Sequence, residues 1–253
     1  PYRVICDVHR TYDGGKNWAK LNSILNSSGI CRDPINPAEV WWPHGKGMYR
    51  IKDKDAESLN YESGDNGLEQ LCCTQALSAP NGALHIMVMD HGHMRNKNIF
   101  EKASSVKPYI AKGAAIDYCE TAPEYMLRVG FTDNDVMDTS GAAVSTDGGE
   151  TFAALDWRET NRIIDAAGSS ELGSNGKPVM IMATVGDMST GEGKGLWRSE
   201  DLGISWQKCG ETVTYSSSWD YGGRALASDR VNGNTFYYLD NERLYRSDDG
   251  GKS

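Results

Sequence analysis

The chain has 253 residues, enough for one large core or two smaller ones, and its 39% hydrophobic and 24% charged residues give a globular rather than a disordered balance. A formal net charge of −9 repels phosphate backbones and argues against a nucleic-acid partner, and no apolar run approaches the ~20 residues of a membrane span. With 28 Gly, 12 Tyr and 7 Trp, the composition suits an all-β protein rich in tight turns.

In chain order, Tyr2–Ile5 reads as a strand, followed by the turn Thr11-Tyr12-Asp13-Gly14-Gly15-Lys16-Asn17-Trp18. The next strands are Pro37–Trp42, which leads to Gly47-Met48-Tyr49-Arg50, and Ala83–Met89, after which Asn98-Ile99-Phe100 is expected to close a sheet. Pro123–Val129 precedes Ser145-Thr146-Asp147-Gly148-Gly149-Glu150-Thr151-Phe152. Pro178–Met182 and Gly195-Leu196-Trp197-Arg198 precede Ser199-Glu200-Asp201-Leu202-Gly203-Ile204-Ser205-Trp206. Asn234–Leu239 and Arg243-Leu244-Tyr245-Arg246 precede Ser247-Asp248-Asp249-Gly250-Gly251-Lys252-Ser253. Each strand candidate is a short β run bounded by turn residues, and no segment sustains a helical period.

Three turns carry the full template Ser/Thr-x-Asp-x-Gly-x-x-aromatic, the Asp-box, and the fourth follows it through Ser253, one position before the aromatic. Its carboxylate accepts backbone N–H bonds across a hairpin, its glycine supplies a positive φ, and its aromatic packs between neighbouring sheets. The later boxes are spaced by about one four-stranded propeller blade, and the long interval after Asp13 divides into three such lengths. The fold class is therefore all-β, a β-propeller built on Asp-box repeats, with about five blades. The template makes Asp13, Asp147, Asp201 and Asp249 structural rather than catalytic. The open ends of the pattern predict an incomplete piece of a larger protein.

The cysteines, Cys6, Cys31, Cys72, Cys73, Cys119 and Cys209, match no zinc spacing and leave disulfides and free thiols equally open. Asn26-Ser27-Ser28 is a glycosylation sequon, a motif that often arises by chance.

Between the boxes, an ordered set of motifs resembles glycoside hydrolase family 74, the xyloglucan-active β-glucanases. It runs from Asp33-Pro34-Ile35-Asn36-Pro37 through Gly67-Leu68-Glu69-Gln70 and Leu77-Ser78-Ala79-Pro80-Asn81-Gly82-Ala83 to Met89-Asp90-His91-Gly92-His93. Ala115–Glu120, Arg128-Val129-Gly130 and Arg224–Asn232 follow in the same order. The resemblance implies tandem seven-bladed propellers facing each other across a sugar-binding cleft, and inverting hydrolysis by one aspartate from each propeller. It implies that residues 1–62 close a first propeller and that 63–253 open a second, incomplete one. It makes Asp90 a catalytic aspartate and the remainder of the same protein the source of the other. His93 departs from the pattern, which has Gly there.

Asp90 follows an apolar strand and precedes a glycine, so the residues alone allow a binding-face carboxylate or an ordinary turn aspartate. His91 and His93 share a face if extended; without a Cys or Glu to complete a set they read as sugar-contacting or ordinary polar residues, with no metal and no cofactor. Trp157 and Trp219, in polar loop-like contexts, are candidates for stacking on sugar rings; Trp18, Phe152 and Trp206 are expected to fill space between blades. Asp117, Asp187, Asp220 and Asp229 stay open, Asp229 as a partner for a nearby cation. Three functions fit: a polysaccharide hydrolase acting outside the cell, a non-catalytic glycan- or protein-binding propeller, and a polysaccharide lyase on the same scaffold.

Overall fold

The computed structural model describes residues 5–25, 29–44, 47–56, 60–64, 71–89, 91–131, 141–157, 162–185, 193–210, 225–240 and 243–253. Every regular element among them is a strand. The chain divides into two compact units, Pro1–Leu71 and Cys72–Ser253.

In the first unit, β1 (Ile5–Arg10) pairs with β2 (Ala19–Leu25) around the first box. A four-stranded sheet follows: β3 (Cys31–Arg32), β4 (Val40–His44), β5 (Gly47–Ile51) and β6 (Glu62–Ser63). The 62/63 division expected from sequence falls inside β6. Trp42 and Ile51 form this unit's buried core, with Val8, Tyr49 and Ala56 packed against them. Trp18, expected to fill space between blades, is instead 60% exposed, its indole N–H folded back onto its own turn at Gly15 O.

The second unit repeats one sheet. Its first copy is β7 (Cys73–Ser78), β8 (Leu84–Val88), β9 (Gly92–Asn96) and β10 (Ser104–Ser105). The second is β11 (Lys112–Cys119), β12 (Ala122–Phe131), β13 (Ala142–Ser145) and β14 (Ala153–Ala154). The third is β15 (Ile163–Leu172), β16 (Pro178–Thr184), β17 (Gly195–Ser199) and β18 (Gln207–Lys208). The fourth has β19 (Leu226–Ser228), β20 (Phe236–Asp240) and β21 (Arg243–Ser247). Every sheet is an antiparallel meander in chain order. The described residues thus form six sheets where repeat spacing predicts about five, because the β1–β2 hairpin stands as a sheet of its own.

First strands of successive sheets lie side by side: β11 packs against β7 and β15, and β15 against β19. This radial stacking of four-stranded meanders is the β-propeller arrangement. It also explains a sequence feature. Pro178–Thr184 is buried at every position, without the alternation of a half-solvated strand, because both faces of its sheet are covered. Leu127, Val129, Ala166, Ile181 and Met182 belong to the larger core, and Met87, Ile116, Met126 and Phe152 to a smaller one at the first two sheets.

Neighbouring first strands are joined by side chains instead of a backbone ladder. The Gln75 amide donates to Ile116 O and accepts the Ile116 N–H, both at 2.8 Å. Asp117 accepts the Gly168 N–H at 3.0 Å. Asp165 accepts the Ala225 and Leu226 N–H groups at 2.7 and 2.8 Å. Where β11 passes the start of β9 only glycine fits: a Cβ on Gly113 would lie 2.1 Å from Gly92 O.

Two sequence expectations change here. Phe100 closes no blade; it is 91% exposed on the β9–β10 turn. Asp229 caps its own turn by accepting the Val231 and Asn232 N–H groups, while Arg230 pairs with buried Asp117 at 2.7 Å. Cys31, Cys72, Cys73, Cys119 and Cys209 are free thiols.

Asp165→Ala strips the acceptor from the Ala225 and Leu226 N–H groups at the start of β19 and should lower stability by about 3 kcal/mol. Urea unfolding of the intact protein followed by tryptophan fluorescence measures this; a loss below about 1 kcal/mol would show that the clamp contributes little.

Candidate functional site

Antiparallel order sorts the connections of each sheet between two ends. In the second unit, connections from first to second strand and from third to fourth strand share one end, and those from second to third strand lie at the other. The box turns at Asp147 and Asp201 join third to fourth strands, β13 to β14 and β17 to β18. Asp90 falls in the β8–β9 connection, of the opposite class, and is itself outside the described residues, as are Trp219, Asp187 and Asp220. His91 is half-buried, and its N–H donates to Val88 O at 3.4 Å. Gly92 has φ 74°, and a Cβ there would lie 2.2 Å from Ile110 O, so the strand leaving Asp90 is pressed against the next sheet.

The box turns are alike in detail. Ser145 donates to Asp147 Oδ1 at 2.7 Å and accepts the Gly149 N–H at 2.9 Å, while Asp147 accepts the Thr151 N–H at 2.9 Å. Thr11 and Asp13, Ser199 and Asp201, and Ser247 and Asp249 repeat this pattern. Burial raises the Asp147 pKa, but bonds from Thr151, Ser145 and the Glu150 backbone outweigh it and hold the carboxyl at about 2. Bonds from the Asn17 backbone and side chain hold Asp13 at about 2. Carboxylates so occupied are poor proton carriers near neutrality. The third box differs in one respect: Leu202 has φ 63° where the other boxes have glycine.

Two sugar-contact candidates are withdrawn by their surroundings. Trp157 is 6% exposed, with Trp197 and Trp206 edge-on at 5.0 and 5.9 Å, and it forms part of the core instead of an open platform. His93 is 2% exposed on β9, its Nε2 2.9 Å from Nδ1 of buried His85 on β8, with Phe152 edge-on at 5.2 Å. The imidazole that departs from the family pattern therefore points between sheets. The sequence sets His85 close to His91 and His93, but Arg128 was not legible as a member of this cluster. The Arg128 guanidinium is fully buried over the Phe152 ring at 5.0 Å, one arm donating to Pro108 O, and burial lowers its pKa to about 10. One signal was available: Gly92-His93-Met94-Arg95 repeats Gly47-Met48-Tyr49-Arg50 and Gly195-Leu196-Trp197-Arg198, which puts His93 in an apolar slot. Among the described residues no group of three or more His, Cys, Asp or Glu side chains is placed to hold a metal ion, and no helix is long and apolar enough to cross a membrane.

The stacked meanders define a β-propeller, and comparison with known proteins narrows the class. No family model matches the chain. It is 26% identical over 225 residues to xyloglucanase Xgh74A of Acetivibrio thermocellus, a match covering 87% of this chain and 24% of that protein. It is 24% identical over 230 residues to a xyloglucanase of Paenibacillus sp, covering 87% of this chain and 20% of that protein. The chain thus spans about a quarter or less of the length of these curated relatives. Its fold matches the family 74 xyloglucanase of Xanthomonas campestris with TM-score 0.62 at 22% identity, over 98% of this chain and 36% of that one. A family 74 enzyme of Niastella koreensis gives TM-score 0.59 at 22% identity, over 95% of this chain and 34% of that one. Over most of its length, then, the chain is similar to family 74 xyloglucanases in sequence and in fold.

The lowered box pKa values carry a sign. A carboxyl whose folded pKa lies below its unfolded value of 3.8 adds stability above that pH and loses it as pH falls toward the folded value, about 2 for Asp147. Because Asp147 is exposed, solvent screening leaves only part of the shift as stability: Asp147→Asn should cost about 1 kcal/mol at pH 7 and flatten the acid limb of stability between pH 4 and 2. Thermal melts across that range measure both, and an unchanged acid limb would show the turn to be indifferent to its charge.

Proposed function

We propose that this chain is part of a glycoside hydrolase that cleaves the β-1,4-glucan backbone of a xyloglucan-type polysaccharide by inversion. The four box aspartates are scaffold, and Asp90 supplies one of the two reacting carboxylates. The remainder of the same protein brings the other, as well as the blades that complete tandem seven-bladed propellers. The observation that supports this reading is the similarity to a xyloglucanase over 87% of the chain; beside it stands the strand order, in which the β8–β9 connection, where Asp90 falls in sequence, is of the class opposite the hydrogen-bonded box turns. A carboxylate that must exchange a proton needs a setting apart from turns whose acceptors are filled by amides and hydroxyls.

Inversion uses a protonated acid and an ionised base about 6.5–9.5 Å apart, with room for water on the far side of the sugar. Trp219, which falls in sequence between β18 and β19, is proposed as a ring for stacking a glucosyl unit, with His91 as a polar neighbour of Asp90. A polymeric substrate of this kind is met outside the cell, so the protein is proposed to act there.

Asp90→Asn keeps shape and removes the titrating proton. In the full-length protein it should lower kcat on xyloglucan by about 10²–10⁴ with little change in KM, read by a reducing-sugar assay. Proton NMR of the first product should show the inverted anomer. Full turnover by Asp90→Asn would overturn the assignment and leave a non-catalytic, glycan-binding propeller as the better reading.

A further inference from the structure

The register of the second unit gives equivalent positions in successive sheets. His85 pairs with Arg95 across β8–β9, Leu127 with Val144 across β12–β13, and Ile181 with Arg198 across β16–β17. On the third strands, His93, Ala142 and Leu196 are likewise equivalent, each opposite a second-strand partner (Met87, Val129 and Ala183). All six positions are buried. Two sheets fill this slot with apolar side chains, and the first fills it with two imidazoles.

The surroundings of the imidazoles are unfavourable to charge. His85 Cε1 lies 2.4 Å from the place a Cβ on Gly149 would occupy, so the ring abuts the box turn of the next sheet. Phe152, from the same turn, stands edge-on to both rings, at 6.3 Å from His85 and 5.2 Å from His93. The charged groups facing the pair are Arg95 on β9, Arg128 on β12 and Glu150 on the box turn. Glu150 is already engaged by Arg95 at 2.5 Å and by Lys97 at 2.9 Å. His85 Nε2 and His93 Nδ1 have no hydrogen-bond partner among the described residues. In the neutral pair one ring donates to the other; with both rings protonated, donor would face donor beside two guanidinium groups.

We propose that His85 and His93, bonded to each other across β8–β9 of the first sheet, form an acid-sensitive latch: neutral, the pair packs against Phe152 and the box turn of the second sheet, and protonated it releases them. Burial, then Arg95, hold His85 at about 4; burial, then Arg128, His85 and Arg95, hold His93 at about 2. The sign follows from these shifts. Unfolded imidazoles take up protons near pH 6.5, whereas the folded pair refuses them, so folding is favoured fully above that pH and loses ground as pH falls from 6.5 toward 4 and below. Each refused proton multiplies the unfolding constant by up to ~10 per pH unit in that window. The latch is independent of the hydrolase reading.

The apolar sheets supply the test: His85→Ile with His93→Leu copies the third sheet's slot. Urea unfolding of the intact protein, wild type and double variant, is compared at pH 7.5 and 4.5. The wild-type unfolding constant should rise about 10²–10⁴-fold more than the variant's over this interval. Equal pH dependence overturns the latch. Should the double variant fail to fold, imidazole Cε1 hydrogen–deuterium exchange against pH, read by peptide mass in the unaltered protein, decides the matter. Half-titration of both residues below pH 5 with slow exchange supports the latch, and ordinary titration near pH 6.5 overturns it.

Discussion

The architecture of the second unit depends on polar side chains that reach from one first strand to the backbone of the next. A sheet satisfies its own backbone through its ladder, but stacking four sheets around a common axis leaves first-strand amides facing a neighbour with which they have no ladder. Unpaired buried amides would be costly. Gln75, Asp117 and Asp165 resolve this in three successive joints, and two of the three are carboxylates buried completely. Charge is tolerated there because amide donors, and at Asp117 also Arg230, converge on it. Sheet packing alone is non-directional. These bonds fix which residues of adjacent first strands stand level, and so align the ends of the sheets.

Aligned ends divide the labour of the molecule. At one end the box turns repeat a closed hydrogen-bond pattern in which hydroxyl, carboxylate and amide are all engaged. Such turns hold shape and have little chemistry to spare. The other end receives the connections from second to third strand, whose sequences do not repeat from sheet to sheet. Asp90 and the neighbouring His91 belong to one of them. A repeating fold can vary chemistry only where the repeat is not needed for shape, which is the physical basis for looking for function at that end.

Much of this was legible in the sequence. The boxes announced themselves because a hairpin with filled acceptors constrains several residues at fixed offsets, and their spacing set the sheet length. The third strands were legible for the same reason: Gly47-Met48-Tyr49-Arg50, Gly195-Leu196-Trp197-Arg198 and Arg243-Leu244-Tyr245-Arg246 became β5, β17 and β21. Partnership between sheets was not legible. Asp117 and Asp165 look like any strand aspartates until the neighbouring strand supplies their donors. Trp157 sits in a polar local context, Asp156-Trp157-Arg158, yet Trp197 and Trp206 from the next sheet enclose it. Phe100 erred the other way: expected to close a sheet, it stands with Ile99 on the β9–β10 turn, where Asn96 and Asn98 accept the Asn98 and Phe100 N–H groups and both apolar side chains face outward.

His93 shows how a repeat can correct a motif. Aligned by its neighbours Asp90 and Gly92, it reads as a substitution beside a reacting carboxylate. Aligned by Arg95, it reads as the inward residue of a third strand. The second alignment agrees with the structure because Arg95 and Arg198 perform the same act, each reaching from its third strand to the box turn of the following sheet, at Glu150 and at Gly250 O. That shared reach fixes the phase of β9 and β17, and with the phase fixed the side chain two residues earlier must face inward. A polar residue in that position changes the joint between sheets and not the surface presented to a ligand. The polar His85–His93 joint and the connection that holds Asp90 are borne by the same pair of strands, β8 and β9. The first sheet therefore combines the least apolar inter-sheet slot with the connection proposed for chemistry, while the more apolar second and third sheets pack behind it.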